Sequence, residues 1–139
     1  MTPKEYFEKC LELEHDYETI EEQKEFAYSG MLGVSKIKED KVTSTPTRGI
    51  EDRVLEWVEW SEELDDVYIE LVDYKMQVMR EINHLDNSHQ RRVLQGIYID
   101  GKKYKEVAKD IRYSERQTQR FCEQGLLEFG RLYPEKFSS

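Results

Sequence analysis

Glycine, proline and cysteine are scarce in this chain of 139 residues, with seven, three and two copies. The two cysteines, Cys10 and Cys122, lie 112 positions apart without a CxxC pair, which argues against a disulfide framework and makes packing their expected role. No run of about 18 uncharged apolar residues occurs, so no membrane-spanning helix is expected. The first residues carry acidic groups where a signal peptide needs an apolar segment, and we therefore expect a soluble, cytoplasmic protein.

Residue patterns for catalysis and for metal binding are also missing. The three histidines, His15, His84 and His89, show no i,i+4 or HExxH relation, and no glycine-rich phosphate loop occurs. The acidic runs at 21–22 and 62–66 lack the Asx-Gly loop that calcium coordination needs, so a charged helix face explains them better. We therefore expect no enzymatic activity, no catalytic residue, no metal site and no cofactor.

The net charge of −9 hides a split between the two parts of the chain. Residues 1–85 hold 10 basic and 22 acidic side chains, a net of −12, whereas residues 86–139 hold 11 basic and 8 acidic side chains, a net of +3. A polyanion such as nucleic acid would be attracted only to the C-terminal part. Ordinary surface variation is the alternative explanation for so small a positive excess.

The apolar pattern of residues 1–85 predicts two long helices. Apolar residues recur in steps of three and four, which predicts one helix over about residues 3–29 and a second one through 50–85. At roughly 1.5 Å per residue the second helix would be about 50 Å long. A helix of this length with so narrow an apolar stripe is not stable alone and needs a partner helix to cover the stripe. We therefore predict an antiparallel, coiled-coil-like hairpin over 1–85, with a linker at about 33–50.

Apolar side chains beside the seam of the second helix predict self-association. They could serve a second chain, with a dimer favoured, or they could only broaden the contact within one chain. The predicted oligomerisation residues are Trp57, Trp60, Leu64, Val67 and Leu71.

Shorter helices are predicted over residues 86–139. Ser88 is the expected N-cap of the first, Asp100-Gly101 ends it, and a second helix follows over 103–111. Ser114 is the expected N-cap of the last helix, which begins after a three-residue turn. No strand alternation of any length occurs, so the chain is predicted to be all-α, with a helix-turn-helix bundle at its C-terminal end. The expected core residues of this bundle are Tyr98, Val107, Ile111, Phe121 and Phe129.

Residues 86–129 resemble region 4 of sigma-70-type factors. The resemblance is carried by the segments Tyr104-Lys105-Glu106-Val107-Ala108 and Ser114-Glu115-Arg116-Gln117. In that family a glycine turn leads into a Tyr/Ser-x-Glu-Ile-Ala helix, and a Ser/Thr-capped recognition helix reads the −35 promoter element. The whole chain, with its acidic helical N-terminal part, further resembles small phage-encoded regulators of the ArpU/RinA type, which activate late or packaging genes.

Two residues depart from the region 4 pattern. Arg112 stands in the turn where glycine would adopt a positive φ without strain, so the turn either costs about 1 kcal/mol or takes another shape. Gly125 stands where the family usually has alanine, which costs up to about 1 kcal/mol of helix propensity. No segment resembles the strand-opening region 2, and we expect binding to duplex DNA without promoter melting.

The site residues predicted from this pattern divide into two groups. Arginine, glutamine and glutamate can pair with base edges in the major groove, whereas lysine and arginine near the motif can neutralise phosphates. Solvated positions or salt bridges within a helix are the alternative for each charged residue. The predicted base-reading residues are Glu115, Arg116, Gln117, Gln119 and Arg120, and the predicted phosphate contacts are Arg91, Arg92, Lys102, Lys103, Lys105 and Ser114.

The sequence therefore predicts a DNA-binding transcription regulator, with double-stranded DNA as its partner. Two other functions remain open at this point. The acidic hairpin could contact RNA polymerase or a host sigma factor, because a region 4-like module can bind protein as well as DNA. A small terminase that packages phage DNA also joins a helix-turn-helix to helical oligomerisation.

Overall fold

The computed structural model describes residues 1–40 and 48–137, with side chains described for 1–30 and 51–137. Within these residues the chain is all-α, which confirms the predicted fold class. None of the described helices is long and apolar enough to cross a membrane. The helices are α1 (Pro3–Asp40), α2 (Arg48–Ile82), α3 (Ser88–Leu94), α4 (Tyr104–Ile111), α5 (Glu115–Leu132) and α6 (Pro134–Phe137), and a π-helical turn, Gln95–Ile99, continues α3.

Helix α1 is longer than the sequence pattern predicts. It continues to Asp40 rather than ending near residue 29, and it passes through Gly30 and Gly33. A glycine inside a helix costs only about 1 kcal/mol relative to alanine, so two of them do not end a long helix. The predicted linker at about 33–50 is therefore helical at both of its ends, and its Thr-Pro stretch at 43–47 lies outside the described residues.

One compact unit consists of residues 14–70, where α1 and α2 pack against each other. The ring of Tyr17 lies 5.4 Å from that of Tyr68, and the ring of Tyr28 lies 5.9 Å from that of Trp57. Contacts further along α1 thus meet residues earlier in α2, so the two helices run antiparallel here. The connection that would complete the predicted hairpin lies outside the described residues.

The predicted oligomerisation residues are at least half covered within a single chain. Leu64 and Leu71 are each 7% exposed, and Trp57, Trp60 and Val67 are half-buried. Packing within one chain thus accounts for part of their apolar periodicity. This agrees with the alternative interpretation, in which these residues broaden the contact within one chain. Self-association through them stays a prediction.

The second compact unit combines residues 1–13 with 71–139. Its core joins the beginning of α1 to the C-terminal helices, since the Phe7 ring contacts the rings of Phe129 at 4.7 Å and Tyr98 at 5.3 Å. Phe7 and Phe129 are fully buried, as are Val78 and Ile82 of α2, which belong to the same cluster. The predicted domain boundary after residue 85 stays a prediction, because a grouping of residues by their contacts does not test which parts of the chain are independent domains.

A buried polar network ties three helices of this second unit together. The Tyr6 hydroxyl donates to the carboxylate of Glu81, which is 8% exposed, and the Lys136 ammonium lies 2.8 Å from the other carboxylate oxygen. The Tyr74 hydroxyl donates to the Tyr6 carbonyl at 2.6 Å. Burial raises the pKa of Tyr6, and its hydrogen bond to Glu81 raises it further. The buried carboxylate is thus paired with a cation and a hydroxyl, as a charge in this position requires.

The start of α3 differs from the prediction in its capping residue. Asn87 is the N-cap, because its side-chain oxygen accepts from the backbone N–H groups of His89 and Gln90, and Ser88 is already the first helical residue. The predicted stop at Asp100-Gly101 is confirmed, since the π-helical turn ends at Ile99 and Gly101 adopts a φ of 69°.

The cysteines and most of the predicted core residues lie inside the second unit. Cys10 and Cys122 are both buried and neither forms a disulfide, in agreement with a packing role. Tyr98, Val107 and Phe129 are buried as predicted. Ile111 and Phe121 are only half-buried, although both pack against the core.

Candidate nucleic-acid interface

The turn between α4 and α5 reverses the chain through one left-handed residue. Arg112 has φ 62° and ψ 43°, so it occupies the conformation that glycine takes most easily. The N–H of Tyr113 donates to the carbonyl of Ala108 at 3.1 Å, and the N–H of Arg112 donates to that of Lys109 at 3.3 Å. These two bonds form a Schellman motif that satisfies two of the last four carbonyls of α4. Arginine therefore keeps the glycine-type geometry rather than changing the shape of the turn.

Ser114 fixes the beginning of α5, as its sequence position predicted. Its hydroxyl oxygen accepts from the backbone N–H of Gln117 at 3.1 Å. The hydroxyl of Thr118 donates to the Ser114 carbonyl at 2.8 Å, and Thr118 is fully buried. The side chain and the carbonyl of Ser114 thus both fix the first turn of α5, and this orients the exposed residues that follow.

One stripe of α5 is buried and sets which side of the helix faces outward. Thr118, Cys122, Gly125 and Phe129 are buried at spacings of four, three and four. Gly125 permits close packing on α3, since a Cβ atom there would lie 3.0 Å from Leu94 Cδ1. This contact gives a physical reason for glycine where the resembling family usually has alanine.

The predicted base-reading residues lie on the outward side of the first two turns of α5. Glu115, Arg116, Gln119 and Arg120 are exposed, and only Gln117 is half-buried. Arg116 and Arg120 are four residues apart, so their side chains share one face about 6 Å apart along the helix axis. The structure thus brings two guanidinium groups and an amide together on one accessible helix surface.

Three of the predicted phosphate contacts line one cleft. Arg91, Arg92 and Lys102 border a cavity of about 520 Å³ together with the acidic residues Asp100 and Asp110. The Lys102 ammonium lies 3.0 Å from an Asp110 oxygen, and this hydrogen bond raises the pKa of Lys102. This cleft is consequently mixed in charge.

Arg91 has a local structural role within the unit. Its guanidinium donates to the carbonyls of Leu85 and Asp86, which belong to the connection between α2 and α3. Arg92, Lys103 and Lys105 are exposed. Lys102 and Ser114 are exposed as well, so Arg91 is the one predicted phosphate contact that is half-buried.

A cluster of three aromatic rings lies beside the turn and was not among the predicted site residues. The His89 ring stacks on Phe121 at 5.0 Å and meets Tyr113 edge-on at 4.9 Å, and Tyr113 meets Phe121 at 5.1 Å. Tyr113 remains 43% exposed. Tyr113 and the exposed Arg112 directly precede the predicted base-reading residues in the chain. The position of Tyr113 in the turn was the sequence signal that could have identified it.

The thiol of Cys122, on the buried side of α5, lies in a closed environment. Burial raises its pKa, whereas hydrogen bonds with the hydroxyls of Tyr104 and Tyr98 oppose that rise. The pKa values of both tyrosines are also raised, primarily by burial. A protonated, covered thiol is a packing group, because thiol chemistry requires an accessible thiolate.

The geometry defines a class of all-α protein in which α4, a left-handed turn and a capped α5 present an exposed row of polar side chains. Residues 31–128 match the model of the family described as "Protein of unknown function (DUF1492)". Because this match covers well over half of the chain, the protein belongs to the DUF1492 family. Comparisons with curated proteins and with solved structures found no match.

Proposed function

We propose that this protein is a sequence-specific DNA-binding transcription regulator that inserts α5 into the major groove of duplex DNA. The observation that carries the proposal is the exposed face of Arg116, Gln119 and Arg120 at the capped beginning of α5. In this proposal α4, the turn at 112–114 and α5 act as a helix-turn-helix, with α5 as the recognition helix.

The dimensions of the helix support this role. An α-helix with side chains is about 10–12 Å across, which matches the roughly 12 Å width of the major groove. Arg116 and Arg120, about 6 Å apart along the axis, could address bases nearly two steps apart at 3.4 Å per step. Arginine pairs with guanine O6 and N7, and glutamine pairs with adenine N6 and N7. Glu115 and Gln117 are secondary readers in this proposal.

The distribution of cations supports a local interface. Arg92, Lys103 and Lys105 are exposed, and residues 86–139 carry a net charge of +3 against −12 for the rest of the chain. These residues would contact phosphates and set the register of α5 on the duplex, while Ser114 lies where the helix dipole favours an anion. The resemblance to ArpU/RinA-type regulators supports a role at promoters of phage late or packaging genes.

The experiment starts by selecting duplexes bound by the purified chain from a random pool, and then measures affinity for the recovered sequence by fluorescence anisotropy. We expect R116A and R120A each to weaken binding by about 1–3 kcal/mol. With four to six phosphate contacts, the log–log slope of affinity against salt should be about −4 to −5.

Arg131 provides a matched control on the same helix. It is exposed and pairs with Glu128 near the end of α5, about 22 Å from Arg116 along the axis. R131A removes the same side chain and charge, and we expect it to change affinity less than twofold. Native affinity in both R116A and R120A, with unchanged helical circular dichroism, would exclude α5 as the reading helix.

A further inference from the structure

Exposed apolar side chains are concentrated in the unit formed by residues 14–70. Among the side chains that the structure describes, twelve large hydrophobic ones are exposed, and seven of them belong to this unit. The same residues carry 17 acidic and 6 basic side chains, a net charge of −11. Most of the exposed large hydrophobic side chains thus belong to a strongly acidic part of the chain. The seven are Phe26, Tyr28, Val54, Leu55, Val58, Tyr68 and Ile69.

One of these side chains, Tyr28, lines a groove between α1 and α2. The groove has a volume of about 620 Å³. Its apolar lining consists of the rings of Tyr28 and Trp57, 5.9 Å apart, and of Leu64 beside them. Tyr28 is 45% exposed, and Trp57 is half-buried, so both rings can be reached from solvent.

Charged groups border the groove along α1. Glu21 and Glu25 are exposed and lie one helical turn apart, and both contribute to the lining. Between them, the Lys24 ammonium lies over the Trp57 ring, 5.1 Å from its centroid. The indole face thus already holds one cation, and the two carboxylates on the rim are placed to pair with cations from outside.

The chemistry of the groove selects among possible occupants. A second copy would bring a unit of net charge −11 against another of −11, so charge disfavours at this groove the self-association predicted through Trp57 and Leu64. Nucleic acid would be repelled in the same way. A helix with leucine-like side chains on one face and lysine or arginine beside them would cover the rings and pair with the carboxylates. Amphipathic helices bind apolar grooves in this manner, through anchors spaced by three and four residues.

We propose that the groove lined by Tyr28, Trp57 and Leu64 is a docking site for a basic amphipathic helix of a protein partner. Its apolar face packs on the two rings, and its cations meet Glu21 and Glu25. This site lies in the unit of residues 14–70, whereas the proposed DNA-reading residues belong to the other unit. The proposal is therefore independent of DNA binding and is tested without DNA.

The test uses a peptide of about 18 residues, roughly five helical turns, with leucine at three- and four-residue spacing and lysine at the other positions. The full chain carries W60F, so that Trp57 is its single indole. We expect saturable one-to-one binding with a change in Trp57 emission. E21Q/E25Q and Y28A should each weaken binding about tenfold, since each removes one type of contact worth roughly 1.4 kcal/mol.

Matched control variants separate the groove from general charge attraction. D16N/E22Q removes the same two charges from exposed positions of α1 that do not line the groove, and F26A removes an exposed aromatic ring outside it. We expect each control to change affinity less than twofold, and we expect a peptide with glutamate in place of lysine not to bind.

Several outcomes would overturn the proposal. Equal weakening by D16N/E22Q and E21Q/E25Q would mean that binding follows net charge alone. Equal binding of the glutamate peptide would exclude a basic partner. Sedimentation equilibrium that shows a dimer dissociated by Y28A would identify the occupant as a second copy. If Y28A loses helical circular dichroism, the exposed E21Q/E25Q pair decides, because surface amides in place of carboxylates leave the packing unchanged.

Discussion

Replacing Arg112 with glycine should stabilise the protein. Arg112 adopts φ 62° and ψ 43°, and it is exposed. A side chain in this left-handed conformation costs about 1–2 kcal/mol, which glycine avoids. Glycine in turn loses about 0.5–1 kcal/mol more backbone entropy on folding. The hydrogen bonds from the backbone N–H groups of the turn are retained in R112G. Its free energy of unfolding should therefore rise by about 0.5–1 kcal/mol, which for a chain of this length raises Tm by roughly 2–3 °C.

The assay is thermal and urea unfolding followed by circular dichroism, with R120G as the matched control. Arg120 is also exposed, and it lies inside the regular helix α5. R120G removes the same side chain and charge, but glycine there should cost about 0.8–1 kcal/mol and lower Tm by about 3 °C. The two substitutions should thus shift Tm in opposite directions. A loss of stability in R112G as large as that in R120G would refute the assignment of strain to the turn.

Three other substitutions test the packing and capping of the second unit by urea unfolding. G96A should cost about 1–3 kcal/mol, because its Cβ would lie 2.8 Å from Cγ2 of Val107, which is 2% exposed; an unchanged urea midpoint would contradict that packing. S114A should cost about 1 kcal/mol through loss of the N-cap of α5, a cost that S114N should largely recover. Y6F should lower the free energy of unfolding by about 1.5–3 kcal/mol, because it removes the hydroxyl that donates to the buried carboxylate of Glu81. As a control, Y113F at an exposed tyrosine should lower it little.

Local chemistry made several helix ends predictable from the sequence. Ser114 caps α5 and Asp100-Gly101 ends the segment before α4, because these residue types favour such conformations wherever they occur. The same rules do not choose between neighbouring candidates. Asn87 and Ser88 are both good caps, and only the backbone geometry shows that the Asn87 oxygen reaches two N–H groups.

Contacts between distant residues were beyond the sequence pattern. Periodicity shows that Phe7 and Phe129 each belong to a buried face, but it cannot show that these faces meet across 122 positions of the chain. Packing of residues 1–13 with 71–139 was consequently missed. The exposed side of α5 was easier to predict from the sequence, because an apolar stripe at helical spacing is buried and leaves the other positions of the helix exposed.

The central claim is that the exposed face of α5 distinguishes one DNA sequence from another. Its most direct test is the ratio of affinities for the selected duplex and for a scrambled duplex of equal length, measured for the native chain and for R116A/R120A. We predict a native ratio of at least about 10³ at physiological salt that falls by one to two orders of magnitude or more in the double variant, with binding to scrambled DNA largely retained. An unchanged ratio in R116A/R120A, or a native ratio near one, would contradict the claim.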